Sequence, residues 1–272
     1  MCDHCVIESV RERMLNRRDL FRGAAAASAA AAVAGTAALP ARAAAHSSVV
    51  DLTHVYGPDF PTFVGETGID IETPYTFAEH GFNVKVLTIN EHTGTHIDAP
   101  LHFSADGQSV DAIPISNLVC PLCVVHIHER AENDPEAMVT PDDLNAWILA
   151  NGPIPDNACV AMFSGWERHI GTDKFRNADE IGVQHYPGFH PEAAQMLIEE
   201  TGAIGLAVDT LSLDAGSSSS FDTHYAWLPT NRWGLEAVAN LAEVPVAGAT
   251  LIVGAPTHQG GSGGPTRVLA LV

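Results

Sequence analysis

Apolar and polar residues alternate along residues 82–89, Phe-Asn-Val-Lys-Val-Leu-Thr-Ile, the two-residue period of a strand with one buried face. Largely apolar runs at 120–128, 158–163 and 203–209 read as buried strands. Residues 49–55 look like an opening strand, and 250–254 and 267–271 like closing ones. Between them the period changes. Val139, Leu144, Trp147 and Ile148 recur at helical spacing around Thr140-Pro141, where Thr140 can cap, Pro141 suits the first helical position and Asp143 falls at the capping carboxylate. A helix is expected from there to Asn151-Gly152-Pro153, and His190-Pro191-Glu192 opens a second that runs through Glu200. Residues 164–188 form a long polar segment with Trp166, Tyr186, His169 and His185, too long for a simple connector, so they either carry function or wrap a neighbour. Four consecutive serines make residues 215–221 a flexible loop. Strands outnumber helices and the order is mixed, so the expected fold class is α/β with a mixed sheet.

Composition narrows this picture. With 272 residues, 46% of them hydrophobic, the chain can bury one sizeable core. Net charge is −20, and residues 1–45 contain six arginines and four acids, so the remainder is more acidic still. Such a surface repels phosphate backbones and anionic lipid, which argues against nucleic acid as a partner. No run of 18 strongly apolar residues lies beyond residue 45, so no membrane span is expected in the mature form. Arg17-Arg18, a weakly apolar alanine-rich middle and Ala43-Ala44-Ala45 read as a twin-arginine export signal over 1–45. The mature protein, 46–272, would then be periplasmic or secreted. With Cys2 and Cys5 leaving in the signal, Cys120-Pro121-Leu122-Cys123 has no second pair in 46–272 and opens no helix, so these read as core thiols rather than a redox or zinc site. The Gly260-Gly261-Ser262-Gly263-Gly264 run precedes a strand rather than a helix, against a phosphate cradle.

Candidate chemistry is concentrated in residues 92–102. His92, His96, Asp98 and His102 lie within eleven residues, and Gly94 and Pro100 rule against one continuous helix through them. Imidazole and carboxylate on a turning backbone can converge on zinc, manganese or iron(II), whereas a single histidine here would read as a surface residue.

The pattern His92-Thr93-Gly94-Thr95-His96-x-Asp98-x-Pro100-x-His102 resembles the signature of the cyclase-like metal-dependent hydrolases, a family that takes in bacterial kynurenine formamidase and isatin hydrolase. The resemblance extends from Asp51-Leu52-Thr53-His54 to residues 265–269. It implies a swivelling β/β/α domain, usually a homo-oligomer (dimer or tetramer). It implies that His92 and His96 bind one metal, that Asp98 bridges two, and that the distant pair His224 and Glu236 completes the second site. His102 would carry protons. Phe60, an aromatic just before a proline, would contact substrate, although loop packing explains it equally well. Two divalent ions, zinc or manganese, and a small-molecule amide substrate follow from the same resemblance. An aryl formamide is the leading expectation, because lactam-opening members have an amide where Glu236 stands; a lactam such as isatin is the alternative. A non-catalytic periplasmic metal-binding protein is the rival from another class, and His102 speaks against it, since a binding site needs no proton carrier.

Overall fold

The computed structural model describes residues 48–272; the export segment expected over 1–45 lies outside the described residues. In chain order the strands are β1 (Val49–Asp51), β2 (Ile69–Tyr75), β3 (Val84–Ile89), β4 (His96–Asp98), β5 (Val119–His126), β6 (Met138–Val139), β7 (Cys159–Phe163), β8 (Gly188–Phe189), β9 (Gly205–Val208), β10 (Trp233–Glu236), β11 (Ala249–Gly254), β12 (Gly263–Pro265) and β13 (Arg267–Leu271). Three helices matter here: α1 (Pro141–Asn151), α2 (Pro191–Glu200) and α3 (Asp222–Trp227).

Nine strands form one sheet in the order β1-β13-β11-β5-β7-β9-β10-β4-β12. Its centre is parallel, from β5 through β7 and β9 to β10, and both wings are antiparallel. Alternation sorts the side chains: Cys159, Ala161 and Phe163 enter one core while Val160 and Met162 enter the other. The second core is closed by Leu144 and Trp147 of α1 and by Ala193, Ala194 and Leu197 of α2. The first core holds Val50 from one end of the sheet and Ile97 from near the other, so the sheet curls around it. This is the mixed α/β class expected from the pattern.

Both helices begin where their caps place them. Thr140 Oγ1 accepts from Asp143 N at 3.4 Å while Thr140 N donates to Asp143 Oδ2 at 2.8 Å, a reciprocal capping box. His190 Nδ1 accepts from Glu192 N at the head of α2. Cys120, Cys123 and Cys159 are free and buried, and burial pushes the thiols of Cys120 and Cys123 up to about 12, so they stay protonated.

One expectation is corrected. Alternation over 82–89 predicts a half-buried strand, but all six residues of β3 are exposed. Residues Ile71–Thr88 fall in a separate compact unit whose described part is a β2–β3 ribbon, and among the described residues of that unit no second layer covers either face. Within that unit Tyr75 packs on Phe82 and Lys85 Nζ donates to Thr73 Oγ1 at 2.5 Å. The long 164–188 segment folds back on its own domain: Trp166, Phe175 and Tyr186 are fully buried in a third core with Phe60, Leu211 and Ala237.

Candidate metal centre

Register places the first half of the centre. β4 pairs with β10 so that His96 lies opposite Glu236 and Asp98 opposite Gly234. His96, Asp98 and Glu236 therefore share one face of the sheet, while Ile97 and Leu235 point into the core. Gly94 turns the chain into β4 with φ 68°, and an added Cβ would stand 2.8 Å from the Tyr56 ring, so both the conformation and the space require glycine. Thr95 Oγ1 donates to Ala237 O at 2.6 Å and accepts from His54 N, which ties the motif to the residue after Glu236. His92 sits in the bend before β4 and His102 in the 3-10 turn after it, their rings stacked 3.8 Å apart.

The second half comes from α3. Asp214 accepts from Thr223 N at 2.8 Å, from His224 N at 3.2 Å and from His224 Nδ1 at 2.5 Å. It thus holds the start of the helix and orients the ring, leaving His224 Nε2 3.2 Å from Glu236 Oε1 and 3.5 Å from Asp98 Oδ2. His96 is oriented likewise, with Nδ1 donating to Gly94 O at 3.0 Å and Nε2 lying 3.3 Å from Glu236 Oε2 and 3.4 Å from Asp98 Oδ1.

Two polar atoms in this centre, His96 Nε2 and Asp98 Oδ2, are buried with no hydrogen-bond partner. Buried polar atoms without partners are costly, and a bound cation that displaces the proton of His96 would satisfy both. Two overlapping groups bring ligand atoms within 4.8 Å of one another: His92, His96 and Asp98, and Asp98, His102 and His224. Asp98 is common to both. The imidazole and carboxylate set suits zinc or manganese.

Charge is tightly coupled here when no ion is present. Burial opposes ionisation of His96, yet Asp98 and Glu236 raise its pKa to about 10. His224 is raised against burial by Asp214, Asp98 and Glu236, and Asp98 is held well below the carboxylate range, against burial, by His224, His92 and His96. His102 goes the other way: burial lowers it to about 4, Asp98 opposes and His92 reinforces the fall.

Above the centre is a cavity of about 300 Å³. Phe63, Val64, Phe103, Leu211 and Phe221 supply its apolar walls, and His92, His102, His224 and Glu236 its polar end. Phe103 packs 4.6 Å from the His224 ring and 5.6 Å from Phe221. The serine loop presents Phe221 at φ 54°, and its turn is held by Phe221 N donating to Ser218 Oγ and by a bond from Ser217 Oγ to Glu136.

All six residues expected at the metal centre therefore meet in one place: His92, His96, Asp98, His102, His224 and Glu236. Phe60 does not join them. Its ring is buried in the third core, 6.1 Å from His54, and it lines a separate depression rather than this cavity. The aromatic walls are Phe63, Phe103 and Phe221 instead. Sequence reasoning missed Asp214, which lies ten positions before His224 and looks ordinary until α3 is placed.

Comparison with known proteins gives a consistent set of matches. The Putative cyclase family model matches residues 50–215. An isatin hydrolase of Roseibium aggregatum is 30% identical over 251 residues, 82% of this chain and 91% of that protein. Isatin hydrolase A from Ralstonia solanacearum superposes with a TM-score of 0.77 at 36% identity, over 83% of this chain and 92% of that one. An isatin hydrolase bound to the product analogue thioisatinate superposes with a TM-score of 0.76 at 31% identity, over 82% and 92% of the two chains.

Proposed function

The chain belongs to the cyclase family of metal-dependent hydrolases, and on that premise we propose that it hydrolyses the C–N bond of a small aryl amide. The observation that carries this is the meeting of four imidazoles and two carboxylates, with the buried acceptors His96 Nε2 and Asp98 Oδ2 unpartnered, at the end of an apolar cavity. His92, His96, Asp98, His224 and Glu236 would hold two divalent ions, with Asp98 shared. When bound, such ions lower the pKa of water towards about 7 and polarise a carbonyl oxygen.

The chain's own groups supply the rest. Phe63, Phe103 and Phe221 form an apolar wall that takes a planar aromatic ring and excludes water around it. His102 is neutral at pH 7, because burial holds its pKa near 4, so an imidazole nitrogen is free to accept a proton. Once protonated it is a strong acid in that setting, well placed to return the proton to a departing amide nitrogen. An aniline leaves more easily than an alkyl amine, which fits an aryl amide.

That the three matches described above are isatin hydrolases supports a cyclic amide as substrate. The carboxylate at Glu236 supports the second reading, an aryl formamide. Comparing kcat/KM for isatin and for an N-formyl anilide on the zinc- or manganese-loaded protein tests both. A preference for isatin selects the first reading and a preference for the formanilide the second; hydrolysis of neither would contradict the proposal. Export of the chain through Arg17 and Arg18 belongs to the same proposal. Lysine at both positions should leave the unprocessed protein in the cytoplasm, and normal periplasmic yield would contradict it.

A further inference from the structure

The glycine-serine run 260–264 has no part in the chemistry above, yet it lies against His92. β12 pairs with β4, and Gly263 comes so close that an added Cβ would stand 2.4 Å from Ile97 O and 2.8 Å from His92 Cε1. The close approach brings Ser262 Oγ to 3.0 Å from His92 Nε2. On its other side Ser262 donates from Oγ to Glu91 Oε2 at 2.5 Å and from N to the same oxygen at 3.2 Å. Glu91 Oε1 is taken by His258 Nε2 at 2.5 Å.

For a neutral His92 ring, proton counting along this line leaves one arrangement. Glu91 accepts at both oxygens, from the hydroxyl and amide of Ser262 at Oε2 and from His258 at Oε1. The single hydroxyl proton of Ser262 is committed to Glu91. Ser262 Oγ can then only accept from His92, so Nε2 carries the ring hydrogen. That leaves Nδ1 bare, 2.7 Å from Asp98 Oδ1. Two acceptors then face each other at that distance, and either a second proton on the ring or a bound metal ion reconciles them.

We propose that Ser262 and Glu91 are positioning residues that lock His92 in the Nε2–H tautomer and so reserve Nδ1 as a metal ligand beside Asp98. His96 and His224 have their own locks in Gly94 O and Asp214. For His92 the lock is a two-residue side-chain relay, and the glycines around Ser262 are what let it approach. Outer partners of ligating histidines are generally worth about 10–100-fold in metal affinity. The inference rests on the metal-centre reading, and the test separates the two.

The test is competition between purified protein and a chelator for zinc, with thermal unfolding of the metal-free forms alongside. Ser262→Ala should weaken the tighter-coupled zinc by about 10–100-fold, with the metal-free unfolding temperature close to that of the unmutated protein. Glu91→Gln keeps an acceptor for Ser262 but loses its charge, so its loss should be smaller. Unchanged affinity in Ser262→Ala overturns the proposal. If the variant does not fold, nitrogen-15 histidine spectra of the unmutated zinc-loaded protein decide: a proton on His92 Nε2 with Nδ1 ligated supports the lock, and the reverse assignment overturns it. An unmutated protein that holds no zinc would instead bring down the metal-centre reading itself, and this inference with it.

Discussion

His102 owes its role to burial. Loss of hydration lowers its pKa to about 4, His92 adds to the fall, and Asp98 only partly offsets it. Its ring nitrogen also falls within ligand distance of Asp98 and His224, so ligand and proton carrier are rival roles for one side chain. A lost ligand costs metal; a lost carrier costs rate. His102→Ala is expected to retain its ions and a near-normal KM while kcat falls about 10²–10⁴-fold; metal analysis of the same sample is the check, and metal loss in proportion to activity would make His102 a ligand. His96 and His224 make the opposite statement. The pKa of His96 is raised to about 10 and that of His224 is raised too in the metal-free centre, so ions bind there in competition with protons. Zinc uptake at pH 7 should release about one to two protons per chain. Apparent affinity should rise with pH towards 10 and fall as pH drops. Calorimetry in buffers of different ionisation heat measures this, and buffer-independent heats would contradict it. The cluster from His92 to His102 was legible because its spacing needs no tertiary context. His224 and Glu236 were legible only through the family resemblance. Asp214 was not legible at all, since its value lies in bonds to backbone amides that exist only once α3 is formed.

At the scale of elements, capped helices and long apolar strands were readable, and short strands were not. α1 and α2 start at the Thr140-Pro141 and His190-Pro191 signals because those caps act locally. β4, β10 and β12 have three or four residues each, too few to show a period, and β12 is mostly glycine. They are strands because tertiary pairing supplies their hydrogen bonds, and they carry or contact most of the centre. β3 shows the reverse failure: a clear alternation with no buried face, because pattern records only what a strand could cover. The close contact at β12 gives an expectation at this scale. Gly263→Ala forces Ile97 O or His92 to move, and should cost about 1–3 kcal/mol, the usual penalty of overpacking. Gly57→Ala, where an added Cβ meets nothing within 4 Å, is the matched control. Denaturant unfolding of both without metal is the measurement, and equal stability would show that β12 is not held as tightly as described.

For the molecule as a whole, the parallel centre of the sheet builds the cores while the antiparallel wing β10-β4-β12 builds the chemistry. α3 reaches the same point from another part of the chain, so ligands from residues 92 to 236 converge only after the fold is complete. Among the described residues no helix is long and apolar enough to cross a membrane. The whole arrangement exists, on this account, to hold divalent ions beside an apolar cavity for hydrolysis of an amide. Activity against metal added back to chelator-stripped protein tests that directly. Isatin or N-formyl anilide hydrolysis should be absent from the stripped protein and rise to a plateau near two equivalents of zinc or manganese per chain. Undiminished hydrolysis by fully stripped protein, or none at any loading, would contradict it.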